Sequence, residues 1–187
     1  AGAPAHRVHD EITLAADVDV YRVLPHAHLL ARRLEAKARL PDGTSRELLR
    51  IRSWDFAWQG DYAYREPLHL PKGTVISMEF TYDNSAGNPR NPNVPPRRVG
   101  YGLGSEDEMA ELWFQVLPRD PGGAVLLERE SVPRVLKSGE AYNRHLLRLD
   151  PSDARAHAEL GKVLIFLQRG EEAEGHLREA VRLRPDE

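Results

Sequence analysis

Apolar and polar residues alternate with a period of two in several short stretches of the first two thirds of the chain. The pattern is clearest over residues 34–40 and 76–82, and a further strand is predicted over residues 109–117. This period is typical of half-buried strands. Turn residues such as Pro41, Asp42 and Gly43 separate the stretches. The pattern therefore predicts an all-β antiparallel sandwich, jelly-roll-like, over residues 1–117.

The periodicity becomes helical towards the end of the chain, where residues 154–168 and 171–183 are the two predicted helices. The sequence LRLDP, which ends at Pro151, recurs as VRLRP, which ends at Pro185. The two prolines are 185 − 151 = 34 positions apart, the period of tetratricopeptide repeats. We therefore expect a small all-α tail of tetratricopeptide type over residues 139–187, with further repeats in a longer protein. The alternative is an unrelated helical hairpin.

Residues 118–138 separate the two regions and contain three prolines and two adjacent glycines. This composition predicts a linker or an irregular segment. A second loop is predicted from Asn84 to Arg98, because its prolines cannot donate the hydrogen bonds of a central strand. It is either a lid or a rigid crossover. Trp54, Phe56 and Trp58 alternate and are predicted to pack on a strand, with a substrate-stacking surface as the alternative.

The composition excludes several classes of function. The net charge of −3 does not suit a nucleic-acid backbone, and the apolar runs are too short for a membrane-spanning helix. There is no cysteine in the 187 residues. Disulfides, cysteine nucleophiles and thiolate metal sites are therefore excluded, and a metal site would have to use His, Met, Asp or Glu. We expect neither a nucleic-acid partner nor a membrane span.

A candidate metal site begins at the His-x-His pair formed by His26 and His28. Residues two apart on a strand point to the same face, so both imidazoles can reach one ion. Met109 opens the last predicted strand and shares the less apolar face of that strand with Glu111 and Trp113. Its thioether selects Cu(I) over harder ions. The alternatives are that the histidines are structural or solvent-exposed and that Met109 fills the core.

Several motifs of the first region resemble a known enzyme family. They are Pro25–Leu30, Trp54–Gln59, Leu70–Thr74, Tyr82–Pro92 and Asp107–Met109. Over roughly residues 8–117 the chain resembles the carboxy-terminal half of the copper type II, ascorbate-dependent monooxygenases, the family of peptidylglycine and dopamine β-monooxygenases. The likeness is closest to bacterial relatives. It implies that His26, His28 and Met109 bind one catalytic copper ion, which alternates between Cu(I) and Cu(II).

The resemblance also implies the rest of the reaction. The copper would activate dioxygen to hydroxylate a C–H bond of a small-molecule substrate, with ascorbate or another reductant. A second copper, held by three histidines on a preceding domain outside this chain, would supply an electron. The family and its copper chemistry imply a periplasmic or extracellular location.

The substrate-side positions depart from the family pattern. Leu24 stands where the peptide enzyme has an arginine that anchors the substrate carboxylate, and Glu111 and Trp113 replace its Asn and Tyr. A carboxylate at Glu111 would repel a carboxylate substrate, so peptide amidation is disfavoured. Ala110 stands where the family has a cysteine, which removes a disulfide.

Three functions therefore compete: a monooxygenase domain, a copper-binding module without catalysis, and an interaction module in which the β domain docks a protein partner and the helical tail extends the binding surface. The remaining histidines are not assigned to the site. We predict that His6 and His9 belong to a flexible, solvated end, with a supplementary role at a metal site as the alternative, and that His69 is on the surface. The histidines of the tail are expected to be solvated or to pack; they are His145, His157 and His176.

Overall fold

The computed structural model describes residues 1–185 and contains seven strands and three helices. The strands are β1 (His6–Thr13), β2 (Val18–Ala27), β3 (Ala31–Arg39), β4 (Ser45–Ile51), β5 (Tyr62–Leu70), β6 (Val75–Tyr82) and β7 (Ala110–Pro118). The helices are α1 (Gly123–Leu149), α2 (Ala154–Phe166) and α3 (Gly170–Leu183). The chain forms two compact units, which divide after Leu127. No helix among the described residues is long and apolar enough to cross a membrane.

The first unit is built from two antiparallel sheets with strand orders β1-β6-β3-β4 and β5-β2-β7. Val18 and Val20 of β2 join Ala36 and Ala38 of β3 in one buried cluster, so the two sheets share a core. Alternate residues of each strand point into this core, which accounts for the period of two in the sequence. The prediction of an antiparallel, sandwich-like β fold is confirmed.

Strands β3, β6 and β7 lie within a residue or a few residues of their predicted positions. The sequence gives no comparable signal for β1 and β5, because both are edge strands and bury few residues. Pro67 lies within β5, where an edge strand tolerates the missing N–H. The flexible end predicted for His6 and His9 is wrong, because both residues pair with β6.

The aromatic segment 54–58 is not a strand. The carboxylate of Asp55 accepts a hydrogen bond from the backbone N–H of Ala57 at 3.0 Å, which closes a turn. Trp54 is buried at 2% exposure and Trp58 is 75% exposed. The alternation of aromatic residues here reflects a turn with one anchored side chain.

The loop predicted from Asn84 to Arg98 contains no helix or strand. Its asparagine amides connect distant parts of the loop, because Asn84 donates to the carbonyl of Arg97 at 2.8 Å and Asn91 donates to Asn84 at 2.9 Å. Asn91 is buried although it is polar. Amide–backbone bonds of this kind give the loop a defined path without a strand.

The second unit is helical. The irregular structure predicted for residues 118–138 is wrong from Gly123 onwards, where α1 begins and continues through Pro133. Strong helix formers occupy residues 126–130 and outweigh the single hydrogen bond that Pro133 removes. The two helices predicted in the tail are present as α2 and α3. Asp153 caps α2 by accepting from the N–H of Ala156.

Candidate metal centre

The pairing of β2 with β7 brings the candidate residues to one end of the three-stranded sheet. His26 pairs with Glu111 and Ala27 pairs with Ala110. The ladder ends at that pair, and His28 and Met109 are the next residues beyond it. Directly opposed residues point to the same face of a sheet. His26 and Glu111 therefore lie on one face of the sheet, with Leu24 and Trp113 two positions further along.

The two imidazoles are close neighbours. Their ring centroids are 5.1 Å apart and their planes are nearly perpendicular, at 82°. His28 is buried at 4% exposure, whereas His26 is half-buried. Phe56 packs edge-on against His28, with centroids 5.9 Å apart. The pair therefore has one imidazole inside the protein and one near its surface.

The hydrogen bonds of His28 fix which ring nitrogen carries the proton. Its Nδ1 lies 3.0 Å from the carbonyl oxygen of Asp107. Because a carbonyl can only accept, Nδ1 must be the donor, and in the neutral ring Nε2 keeps a free lone pair. The structure therefore leaves Nε2 of His28 as the nitrogen that could bind a metal.

Gln59 plays the corresponding role for His26. The amide N–H of Gln59 donates to the carbonyl of Phe56 at 3.0 Å, which turns its Oε1 towards Nδ1 of His26. Nδ1 then donates to that oxygen, and Nε2 of His26 is likewise left as an acceptor. The turn that replaces the expected strand thus supplies an orienting side chain.

Glu108 ties the segment before β7 to the turn after the histidines. Its carboxylate accepts from the backbone N–H groups of His28 at 3.1 Å and Leu30 at 2.5 Å. Burial raises the pKa of Glu108 to about 7, although the bonds from backbone N–H groups of Leu30, His28 and Met109 act in the opposite direction. Glu108 is therefore a positioning residue for the backbone on both sides of the site.

Met109 is buried and lies at the same end of the sheet. Its carbonyl accepts from the hydroxyl of Tyr82 at 2.6 Å. It also lines a cavity of about 490 Å³ together with Leu30 and Tyr82. Neither His26 nor His28 lines this cavity. The structure thus brings the two imidazoles together, and it places Met109 directly after Asp107 and Glu108, which both bond to His28.

The substrate-side positions lie beside the histidines on the same face. Leu24 pairs with Trp113, and both side chains are largely exposed. The indole N–H of Trp113 donates to the carboxylate of Glu111 at 3.1 Å. These residues form an exposed surface that is mainly apolar and carries one carboxylate.

The chain matches no protein-family model and no curated protein sequence. The interpretation of this site therefore rests on its own geometry. Within residues 1–185, no three side chains drawn from His, Asp and Glu cluster as metal ligands. A metal at the His26–His28 pair would need another kind of third ligand, such as the thioether of Met109.

Sequence reasoning did not assign a role to Gln59 or to the carbonyl of Asp107. Both lie inside motifs that were recognised, but their function depends on turns that fold them onto the histidines. The other histidines lie elsewhere. His69 contacts Asp19 at 3.5 Å, and His157 and His176 form a separate pair between α2 and α3.

Proposed function

We propose that His26, His28 and Met109 hold one copper ion. The observation that carries the proposal is that each imidazole has its Nδ1 bonded to an oxygen acceptor, which leaves both Nε2 atoms as ligands. Histidines that bind metals almost always donate their other ring N–H to such an acceptor. The perpendicular rings at 5.1 Å support the same interpretation.

Met109 suits the third position. Asp107 and Glu108, the two residues before Met109, both bond to His28, so the thioether belongs to a segment next to the histidine pair. Methionine has three rotatable bonds and adapts to irregular space, such as the adjoining cavity. Two imidazoles and one thioether favour Cu(I) over zinc or magnesium.

In such a site, bound copper would supply the activation of dioxygen for hydroxylation of a C–H bond, with electrons from a donor domain outside this chain and from ascorbate or another reductant. Leu24 and Trp113 would present an apolar surface to the substrate. Glu111 would disfavour carboxylate substrates. We therefore propose a copper-dependent monooxygenase domain for an uncharged, mainly apolar small molecule, in a periplasmic or extracellular setting.

The test is anaerobic loading of the chain with Cu(I), followed by metal analysis and X-ray absorption spectroscopy. We expect one copper per chain with two nitrogen ligands and one sulfur ligand. Met109→Leu should remove the sulfur signal, and His28→Ala should abolish stoichiometric binding. His176→Ala, in the second histidine pair, is the matched control and should change neither result. A copper without sulfur in the wild-type protein would contradict the ligand set.

Oxygen uptake separates a monooxygenase from a copper-binding module without catalysis. The copper-loaded chain is supplied with ascorbate, an apolar test substrate and a separate copper protein as electron donor. Hydroxylated product that disappears in Met109→Leu would support the enzyme. Stoichiometric copper without product would support the non-catalytic module.

We also propose that α2 and α3 form a tetratricopeptide-type hairpin that binds a protein partner. Gly161 of α2 approaches α3 so closely that a Cβ there would lie 2.6 Å from Cγ of Leu177. Ala173 is buried in the same contact. Small residues at such positions and the spacing of 34 residues between prolines are typical of these repeats. Gly161→Ala should destabilise the helical unit, whereas Gly175→Ala, in open space, should not.

A further inference from the structure

Four arginines line one pocket on the outer face of the four-stranded sheet. The pocket has a volume of about 370 Å³. The arginines that line it are Arg7 of β1, Arg32 and Arg33 of β3, and Arg52 directly after β4. Asp83 is the one carboxylate among the lining residues. The pocket is therefore strongly positive in a chain whose net charge is negative.

The sheet register aligns Arg7 and Arg33 in one row, and Arg52 lies near its end. Arg7 pairs with Thr81, and Thr81 pairs with Arg33 on its other side. Arg52 follows directly after the last β3–β4 pair, Leu34 with Ile51, and lines the same pocket as Arg33. Guanidinium groups gathered around one pocket repel one another. An anion bound across the row would remove this repulsion.

The acidic side chains nearby neutralise the row only in part. Arg7 lies 3.6 Å from Glu79, and both side chains are exposed, so the pair is weak. Arg32 donates to the uncharged amide of Asn88 at 3.4 Å. The carboxylate of Asp83 accepts from the backbone of its own turn at 3.0 Å.

Glu35, two positions along β3 from Arg33, interacts with Arg33 but more strongly with two other cations. It pairs with Lys37 at 3.0 Å and with Arg50 at 3.8 Å. Among the arginines of the row, Arg33 and Arg52 are therefore the least neutralised by nearby carboxylates. Their guanidinium groups are the best placed to bind an added anion.

Uncharged donors complete the pocket. The residues that line it include Ser53 and Thr81, whose hydroxyls can donate. Trp54 also lines it, and its buried indole N–H has no acceptor among the described residues. Guanidinium groups match the oxygens of a phosphate in pairs, and hydroxyl and indole donors add further bonds.

We infer that this pocket binds the phosphate group of a small molecule. Its volume falls in the range of small-molecule sites, which favours pyrophosphate or a phosphate ester over a single oxyanion. The row lies on the opposite sheet from the candidate copper ligands. The inference therefore does not depend on copper binding.

Isothermal titration calorimetry of the full chain with pyrophosphate tests this inference. We expect one site per chain, and Arg33→Gln and Arg52→Gln should each weaken binding about five- to tenfold. Arg39→Gln is the matched control, because Arg39 lies on the same face of β3 about 20 Å away. It should leave the affinity within about twofold of the wild type.

A second measurement distinguishes binding from a purely structural role. Pyrophosphate should raise the melting temperature of the wild-type protein but not of Arg33→Gln, and sodium chloride of equal ionic strength should have no such effect. Without the anion, Arg33→Gln should be at least as stable as the wild type. Equal pyrophosphate affinity in Arg33→Gln and the wild type would overturn the inference. Binding only to vesicles of anionic phospholipid, with no binding of free pyrophosphate, would also overturn it.

Discussion

Two histidine pairs in this protein have the same distance between their rings but different hydrogen-bond partners. The ring centroids are 5.1 Å apart both in the pair of His26 and His28 and in the pair of His157 and His176. In the first pair each Nδ1 has its own oxygen acceptor, and both Nε2 atoms are left as acceptors. In the second pair the two Nδ1 atoms face each other at 2.9 Å. The neighbours of a histidine, rather than its distance from another histidine, decide whether a pair can bind a metal.

In the second pair, hydrogen bonds already occupy both ring nitrogens of His157. Nε2 of His157 lies 3.1 Å from the carbonyl of Pro151 and must donate to it. Nδ1 of the neutral His157 ring is then an acceptor, and it receives the Nδ1–H of His176. This chain of bonds connects α2 to α3. It uses the nitrogen lone pair of His157 that a metal would need.

The largest expected effect comes from removing the carboxylate that positions the first pair. Glu108→Ala leaves the buried N–H groups of His28 and Leu30 without acceptors. We expect the free energy of unfolding to fall by about 2–4 kcal/mol. The measurement is denaturant unfolding followed by tryptophan fluorescence, in which Trp54 is the buried one of the three indoles.

Glu106→Ala is the control for this prediction. Glu106 carries the same side chain two positions earlier, but its ion pair with Arg97 is exposed. Its removal should cost less than about 1 kcal/mol. Equal losses in the two variants would mean that Glu108 does not position the backbone around His28.

A smaller effect is expected at Gln59, and it should appear in metal binding rather than in stability. Gln59→Leu removes the acceptor that orients the ring of His26. We expect the Cu(I) affinity to fall about tenfold, as for other residues that orient metal ligands. The measurement is competition with a coloured Cu(I) chelator.

Gln115→Leu provides the matched control for Gln59→Leu. Gln115 is exposed on β7 and pairs with Arg22, away from the histidines. Neither substitution should change the unfolding midpoint appreciably, because both side chains are exposed. If Gln59→Leu bound Cu(I) as tightly as the wild type, the orientation of His26 would not depend on Gln59.

The sequence predicted the features that depend on burial and missed those that depend on turns. Strands β3 and β6 were predictable because they lie inside their sheet, and one face of each is buried. Strand β1 was not, because an edge strand with few buried residues leaves almost no period of two. The segment that contains Trp54 and Trp58 imitated a strand, since aromatic residues can alternate by chance over so short a stretch.

At the candidate site, too, the features that depend on strands were predictable and those that depend on loops were not. The His-x-His spacing predicted that both imidazoles could reach one ion, and their ring centroids are 5.1 Å apart. The assignment of Met109 to the same site stays a prediction. The acceptors for the two Nδ1 atoms could not be predicted, because the side chain of Gln59 and the carbonyl of Asp107 reach the rings only through irregular loops.

The smallest expected effect is the pH dependence of the second pair. Burial lowers the pKa of His176, the nearby His157 and Arg144 act in the same direction, and Glu172 opposes them. Glu179 also interacts with His157. The unfolded chain therefore binds more protons than the folded chain as the pH falls through about 6.5. The contribution of His176 to stability is fully present above that pH and is lost as the pH falls below it.

Nuclear magnetic resonance titration of the histidine C–H signals and thermal unfolding between pH 5 and 8 test this prediction. The His176 signal should titrate at a lower pH than a free histidine, and His176→Gln should reduce the loss of stability in acid. His145→Gln, which changes another histidine of the helical unit, should leave that loss largely in place. Protonation of His157 would place two N–H groups against each other unless His176 gave up its Nδ1 proton. If His176 titrated like a free histidine, its hydrogen bond to His157 would be absent in solution. The proposed difference between the two histidine pairs would then not hold.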